Sequence, residues 1–163
     1  MPSYIPTACV LLLMFRANTQ AASPLETEML AAHNAVRKTV GVPPLVWSDH
    51  LAAVAQEWAN MLLARGEFKH RPKAMYGENL FEIRRPRAHA FPSQVVQSWA
   101  SESRDYDYRA NQCLHGPRSC GHYTQIVWST TKQVGCAATR GDRREIWVCN
   151  YDAPGNWVGS RPY

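Results

Sequence analysis

The spacing of apolar residues changes partway along this chain, and that change constrains the fold more than any other feature. Apolar side chains recur at helical spacing in the first two thirds, and we predict helices over 23–40, 48–66 and 93–106. Segments rich in β-branched and aromatic residues predict strands over 79–83, 124–130, 133–140 and 145–151. Because the helices largely precede the strands and no regular βαβ alternation is present, the pattern predicts an α+β domain with helices packed on a central antiparallel sheet.

The N-terminal apolar run, Ala8–Phe15, is far shorter than the roughly 20 residues that span a bilayer. Small residues follow it, and Thr19-Gln-Ala21 and Gln20-Ala-Ala22 both resemble a signal-peptidase cleavage site. We therefore predict a secretory signal peptide over 1–22, one domain over 23–163, a secreted, extracellular protein and no transmembrane segment. The alternative is a buried N-terminal strand or helix.

Composition excludes several classes of protein. With 45% hydrophobic and 19% charged residues the chain is neither a disordered tail nor a membrane bundle. The formal net charge of +5 is spread along the chain, without the dense Lys/Arg block of a nucleic-acid-binding arm. We expect a monomer with no nucleic-acid partner.

Four of the five cysteines remain once the predicted signal peptide is removed, and they lie in the last third: Cys113, Cys120, Cys136 and Cys149. An even number in a secreted chain predicts disulfides, and four cysteines allow three pairings. We favour Cys136–Cys149, because these residues lie on adjacent predicted strands, which leaves Cys113–Cys120 as a loop staple. A zinc knuckle is the alternative, but the sequence contains no C-x-x-C pair.

Two histidines and two glutamates are candidates for a shared site: His70, Glu78, Glu102 and His122. Two imidazoles and two carboxylates suit a borderline cation such as Zn²⁺, and could equally form an acid–base pair. Glu102 lies within the apolar face of the third predicted helix and so needs a donor, either a histidine or a tyrosine. Spacing alone does not show that the four converge.

The remaining histidines are read as ordinary surface or structural residues: His33, His50, His89 and His115. The tryptophans on the apolar stripes and strands are read as core residues: Trp58, Trp99, Trp128 and Trp147. The sequence contains no nucleophile elbow, P-loop or dinucleotide fingerprint.

Several motifs resemble the CAP superfamily (cysteine-rich secretory, antigen 5 and pathogenesis-related class 1 proteins), most closely the last group. The matching pieces are His33–Arg37, Gly77–Leu80, Trp99–Glu102, Cys120–Gln125, Val127-Trp128, Gly135–Ala137, Cys149–Tyr151 and Pro154–Asn156. They occur in family order across nearly all of residues 25–163.

The resemblance implies a three-layer α-β-α sandwich. It also implies that His70, Glu78, Glu102 and His122 match a tetrad in the central cleft, which binds a divalent metal in some members. Family members are secreted, are associated with plant defence, toxins and reproduction, and in several cases bind sterols or fatty acids; no general enzymatic activity is established for them. The segment Ala153–Tyr163 resembles a peptide that some plant members release as an immune signal, although it begins with Ala rather than Pro.

The chain also departs from the plant members of this group. Those proteins typically carry six cysteines, two more than remain here. The connection Arg84-Arg-Pro-Arg87 is unusually basic. The source organism therefore stays open.

We expect a defence-associated, antimicrobial protein that binds a sterol or another lipid without catalysis, with Tyr106 and Tyr108 contacting the ligand. One alternative is a metal-dependent hydrolase in which the two histidines hold Zn²⁺ and Glu78 or Glu102 activates water. Another is the precursor of a signalling peptide, residues 153–163.

Overall fold

The computed structural model describes residues 22–85, 88–116 and 118–163. Apart from Ala22, the signal peptide predicted over 1–22 lies outside the described residues and stays a prediction. Among the residues described, no helix has both the length and the apolar character needed to cross a bilayer.

Four strands form the main sheet, in the order β1-β5-β6-β2. The elements are α1 (Pro24–Thr39), β1 (Val46–Trp47), α2 (Asp49–Arg65), β2 (Gly77–Arg84), α3 (Pro92–Ala100), a 3₁₀ helix (Ser101–Asp105), β3 (Tyr106–Asp107), β4 (Gln112–Cys113), α4 (Gly121–Ile126), β5 (Gln133–Gly141) and β6 (Arg144–Asp152). Strand β6 is antiparallel to both β2 and β5, whereas the short β1 is parallel to β5. The sheet is therefore mixed. The prediction of an antiparallel sheet holds for its three long strands but not for β1.

Alternating side chains on β6 divide the hydrophobic core into two layers. Ile146 and Val148 pack with α2 on one face, while Trp147, Cys149 and Tyr151 pack with α1, α3 and α4 on the other. Successive strand residues point to opposite faces, so one strand can serve two helical layers. This arrangement confirms the α-β-α sandwich.

Helix α2 lies unusually close to β5 at Gly135. A Cβ at this position would lie 2.2 Å from the backbone nitrogen of Ala52 and 2.5 Å from the carbonyl oxygen of Ser48. Ser48 is also the N-cap of α2, and its side chain accepts a hydrogen bond from Leu51. A side chain at position 135 would therefore displace the start of this helix.

The strand predicted over 124–130 is wrong, because residues 121–126 form helix α4. Every side chain from Tyr123 to Trp128 is buried, so no exposed positions reveal the helical period. A short, wholly buried apolar run cannot be assigned from periodicity. Thr124, which favours strands, uses its hydroxyl within this helix to bond the Cys120 carbonyl at 3.1 Å.

The structure contains two disulfides, Cys136–Cys149 and Cys113–Cys120. Cys136 and Cys149 are directly opposite each other in the register of β5 and β6. Cys113 ends β4, and Cys120 immediately precedes α4. The second disulfide therefore holds the β3–β4 hairpin against the start of α4.

The fully buried Arg37 on α1 is bound by backbone carbonyls rather than by a carboxylate. Its Nη1 donates to Ile126 O at 2.7 Å and to Trp128 O at 2.9 Å, and Nη2 donates to Thr131 O at 3.1 Å. Its Nε donates to Pro43 O at 2.7 Å. Burial lowers the pKa of Arg37 to about 10, so the side chain stays charged at neutral pH.

We expect Arg37→Met to lower the free energy of unfolding by about 3–5 kcal/mol, because it leaves several buried carbonyls without donors. Chemical denaturation measures this, with Lys38→Met on the exposed side of the same helix as the control. A loss no larger than that of the control would contradict the role assigned to the guanidinium.

Candidate functional site

His70 pairs with Glu78 at the start of β2. Its Nδ1 lies 2.8 Å from Glu78 Oε1, which also accepts a hydrogen bond from the backbone N–H of Arg71 at 3.1 Å. The Glu78 side chain is 4% exposed. Its second oxygen, Oε2, is buried without a hydrogen-bond partner among the described residues.

The loop that carries His70 is anchored on α2. Trp58 Nε1 donates to the Lys69 carbonyl at 3.2 Å, and Arg71 Nη2 donates to the Val54 carbonyl at 3.0 Å. The Arg71 guanidinium also lies 5.0 Å from the centroid of the Trp58 ring. The backbone on both sides of His70 is therefore fixed.

His122 pairs with Glu102 where the 3₁₀ helix meets α4. Its Nδ1 lies 2.7 Å from Glu102 Oε1. Glu102 Oε2 accepts the backbone N–H groups of His122 at 2.9 Å and Tyr123 at 3.3 Å. The Trp99 ring stacks on the imidazole, with centroids 6.0 Å apart. The donor required by Glu102 is thus His122, one of the two residue types expected from the sequence.

One cavity of about 560 Å³ connects the two pairs. Its lining includes both histidines and Glu78, together with Asn79 and Asn156. Among the described residues, no three of the four candidates have ligand atoms within 4.8 Å of one another. The structure therefore arranges the candidates as two His–Glu pairs. His70, Glu78 and His122 line the shared cleft, whereas Glu102 bonds His122 without lining it.

A group of three potential ligands does lie within that distance, in the core: His33, Cys136 and Cys149. The two sulfurs form a disulfide. Both nitrogens of the imidazole are hydrogen-bonded, to Met29 O at 2.8 Å and to the Tyr151 hydroxyl at 2.9 Å. This group offers no thiolate, so it does not provide a metal site.

A buried chain of hydrogen bonds runs from the cleft into the core. Asn79 Nδ2 donates to the His122 carbonyl and to the Tyr151 hydroxyl, both at 3.1 Å. Because the Met29 carbonyl can only accept, His33 carries its proton on Nδ1 and accepts the Tyr151 O–H at Nε2. These hydrogen bonds all form with the His33 imidazole and the Tyr151 phenol both uncharged.

The pKa values of the core residues agree with that protonation state. Burial is the main reason that the pKa of His33 falls to about 4 and that the pKa of Tyr151 rises well above its usual value. The sequence pattern assigned His33 only an ordinary surface or structural role. The signal available was its position one turn from both Met29 and Arg37, the other buried residues of α1.

A second, more apolar cavity of about 490 Å³ adjoins the cleft. The disulfide Cys113–Cys120 and the side chains of Trp128, Trp157 and Pro162 contribute to its walls. Tyr106 lines it, whereas Tyr108 lies beside it and stacks on Tyr163 with ring centroids 5.0 Å apart.

The C-terminal segment forms one wall of this second cavity and is tied to α4 and the turn that follows it. Gly155 N–H donates to Gln125 Oε1 at 3.0 Å, and Thr124 donates to Asn156 Oδ1 at 2.7 Å. A Cβ at Gly155 would lie 2.7 Å from Trp128 Cγ, so only glycine permits this approach.

Comparison with known proteins gives a consistent result. CAP, the cysteine-rich secretory protein family, matches residues 30–151. The basic form of pathogenesis-related protein 1 from Nicotiana tabacum is 38% identical over 161 residues, which cover 96% of this chain and 85% of that protein.

Solved structures show the same fold. Schistosoma mansoni venom allergen-like protein 4 matches with a TM-score of 0.66 and 28% identity, covering 87% of this chain and 95% of that one. NaASP2 with Zn²⁺ matches with a TM-score of 0.70 and 21% identity, covering 86% of each chain.

We expect acidification to destabilise the protein through His33. The unfolded chain binds a proton near the usual pKa of 6.5, but the folded chain does so only near 4, so stability is lost as the pH falls through this window. The difference corresponds to about 3 kcal/mol. Denaturation of wild type and His33→Gln at pH 7 and pH 4 measures it.

The exposed His50 provides the matched control, because His50→Gln should retain the pH dependence of the wild type. Direct titration of the His33 ring by NMR should show a neutral imidazole at pH 5. A His33→Gln protein with an unchanged pH dependence would refute the assignment.

Proposed function

Because this chain belongs to the cysteine-rich secretory protein (CAP) family and is similar to pathogenesis-related class 1 proteins, we propose that it is a secreted, defence-associated protein that binds a sterol or another lipid without catalysis. The observation that carries the proposal is the apolar cavity between the Cys113–Cys120 loop and the C-terminal segment. Its volume of about 490 Å³ falls within the usual range for small-molecule sites. Two disulfides suit an extracellular location.

The walls of the cavity suit an amphipathic ligand. Trp157 is 62% exposed and Val158 is fully exposed, although both line the cavity. Covering such apolar surface stabilises a complex by roughly 25 cal/mol per Å². Asn111 and Asn156 lie on the same walls and can hydrogen-bond a single hydroxyl or carboxyl group.

Lipid binding is assigned to the intact chain. Residues 153–163 supply Trp157, Val158 and Pro162 to the cavity, so release of this segment as a signalling peptide would remove one wall. Tyr108 supports the same wall, since it stacks on Tyr163 and the Arg161 guanidinium lies 5.1 Å from its ring centroid. We propose that Tyr106 contacts the ligand and that Tyr108 positions the segment.

Divalent-cation binding in the cleft is a second candidate, favoured by the two histidines that line one cavity. His70 and His122 each use Nδ1 for a carboxylate, which leaves Nε2 as the nitrogen for a metal. Carboxylates commonly orient metal-binding imidazoles in this way. Imidazole nitrogens suit Zn²⁺, the ion named with the similar NaASP2 structure. Because no three candidate ligand atoms lie within 4.8 Å of one another among the described residues, His70 and His122 would have to move toward a bound ion, and water would complete its coordination.

A metal-dependent hydrolase is the catalytic alternative, and the geometry favours Glu78 as its base. Glu102 already accepts three N–H groups, from the His122 ring and from the backbone of His122 and Tyr123. These bonds occupy both of its oxygens and assign Glu102 the role of orienting His122. Among the described residues only Oε1 of Glu78 is hydrogen-bonded, so the buried Oε2 would act as the base once a water molecule reached it.

We expect saturable binding of a fluorescent sterol to the intact protein, and about tenfold weaker binding by Trp157→Ala, because this change removes apolar contact area. Fluorescence titration measures both. Phe91→Ala is the matched control, since Phe91 is 63% exposed and does not line the cavity. No saturable binding of sterol or fatty acid at micromolar concentration, or equal losses in the two variants, would refute lipid binding here.

We expect Zn²⁺ to remain bound after dialysis in an approximately equimolar ratio, and His122→Ala to lower its affinity by about 100-fold. Elemental analysis and calorimetry measure these quantities. His50→Ala, which removes an exposed imidazole outside the cleft, should bind as the wild type does. Affinity should also fall on acidification, because protons compete for imidazole nitrogens.

Unchanged Zn²⁺ binding by His122→Ala would refute the cleft site. If the Zn²⁺-loaded protein cleaved peptide or ester substrates and Glu78→Gln abolished turnover, the hydrolase would replace the non-catalytic proposal.

A further inference from the structure

Four arginines meet where β2 and β6 end their ladder, at the end remote from the cleft. Arg84 and Arg144 are directly opposite each other in the register of the two strands. One step further, the Arg85 N–H donates to the Arg143 carbonyl at 2.7 Å. Two successive rungs therefore bring four guanidinium-bearing residues together.

These residues surround a cavity of about 260 Å³. The described residues that line it are the four arginines and Gly66. Gly66 ends α2 in the left-handed conformation, with φ of 66°, and has no side chain to fill the space. The cavity is therefore bordered by cationic side chains and a glycine.

A single carboxylate, Glu82, pairs with this cluster within the described residues. Its Oε2 accepts from Arg84 Nε at 3.0 Å, and its Oε1 accepts from the guanidinium of Arg144. Arg144 Nη2 donates in addition to the Glu67 carbonyl at 2.8 Å. Glu82 thus pairs with two of the four arginines.

Two features of the cluster are energetically unfavourable, and the first is an unsatisfied donor on Arg144. Its Nη1 is buried and has no hydrogen-bond partner among the described residues. A buried guanidinium N–H without an acceptor is unfavourable, and like charges placed opposite each other across a sheet are unfavourable as well. An anion in the cavity would offset the repulsion between the facing Arg84 and Arg144.

We propose that this cavity binds a tetrahedral oxyanion, a phosphate or sulfate group. Guanidinium groups donate in pairs to such oxygens, and a tetrahedral anion can accept from several of them at once. Glu78 and Arg84 are six residues apart on β2, or about 20 Å at the usual rise of a strand. The oxyanion site is therefore separate from the metal and lipid sites proposed above.

NMR titration of the isotopically labelled, intact protein with sodium phosphate, at constant ionic strength, tests the proposal. We expect saturable shifts of the backbone amides of Gly66, Arg85 and Arg144. The double variant Arg85→Gln/Arg143→Gln should bind phosphate about tenfold more weakly, because it removes two charged donors. Both side chains are exposed, so the variant should fold normally.

The matched control is Arg104→Gln/Arg109→Gln, which removes the same charge from exposed positions outside the cavity. It should bind phosphate within twofold of the wild type. Equal weakening in the two double variants would reduce the effect to net charge and overturn the proposal. Shifts that do not saturate would overturn it as well.

A second measurement identifies the source of the group. We would test whether the protein sediments with phosphatidylcholine vesicles that contain phosphatidic acid but not with vesicles of phosphatidylcholine alone. If it does, and if the Arg85→Gln/Arg143→Gln variant no longer sediments, the phosphate belongs to a lipid headgroup. Saturable phosphate binding without sedimentation would place the group on a soluble molecule.

Discussion

The rest of the structure depends on the buried guanidinium of Arg37. It gathers the carbonyls of Ile126, Trp128 and Thr131, which lie at the end of α4 and in the turn that leads into β5. Because all three carbonyls accept hydrogen bonds from one guanidinium on α1, they fix α1 relative to α4 and to the sheet. Because α4 also carries His122, the placement of the cleft follows from a cation that lies outside it.

A buried hydrogen-bond network also links the cleft to the core. Asn79 bonds the His122 carbonyl and the Tyr151 hydroxyl, so β2, β6 and α4 share one polar contact chain. Every group in that chain finds a partner while His33 and Tyr151 stay neutral. A satisfied network of this kind specifies one arrangement of the surrounding elements, because any other leaves buried polar atoms unpaired.

The polar cleft and the apolar cavity are neighbours that share Gly121 and Asn156 in their walls. Asn156 accepts a hydrogen bond from Thr124 and donates one to the Gly121 carbonyl at 2.9 Å, so it is fixed between the two. A cation site in the cleft and a lipid site in the cavity would therefore bind different ligands but share two wall residues. The arginine cluster at the other end of β2 shares none of these residues.

The sequence by itself determined the features that depend on near neighbours: the bounds of α2 from Ser48 and Gly66, the hairpin of β5 and β6, and through it the pairing of Cys136 with Cys149. It also supplied the residue types of the site. Only the tertiary structure decided that residues 121–126 are helical, that the four candidates form two His–Glu pairs, and that His33 is buried and neutral. Capping and alternation act over a few residues, whereas burial and partner choice depend on groups far apart in the chain.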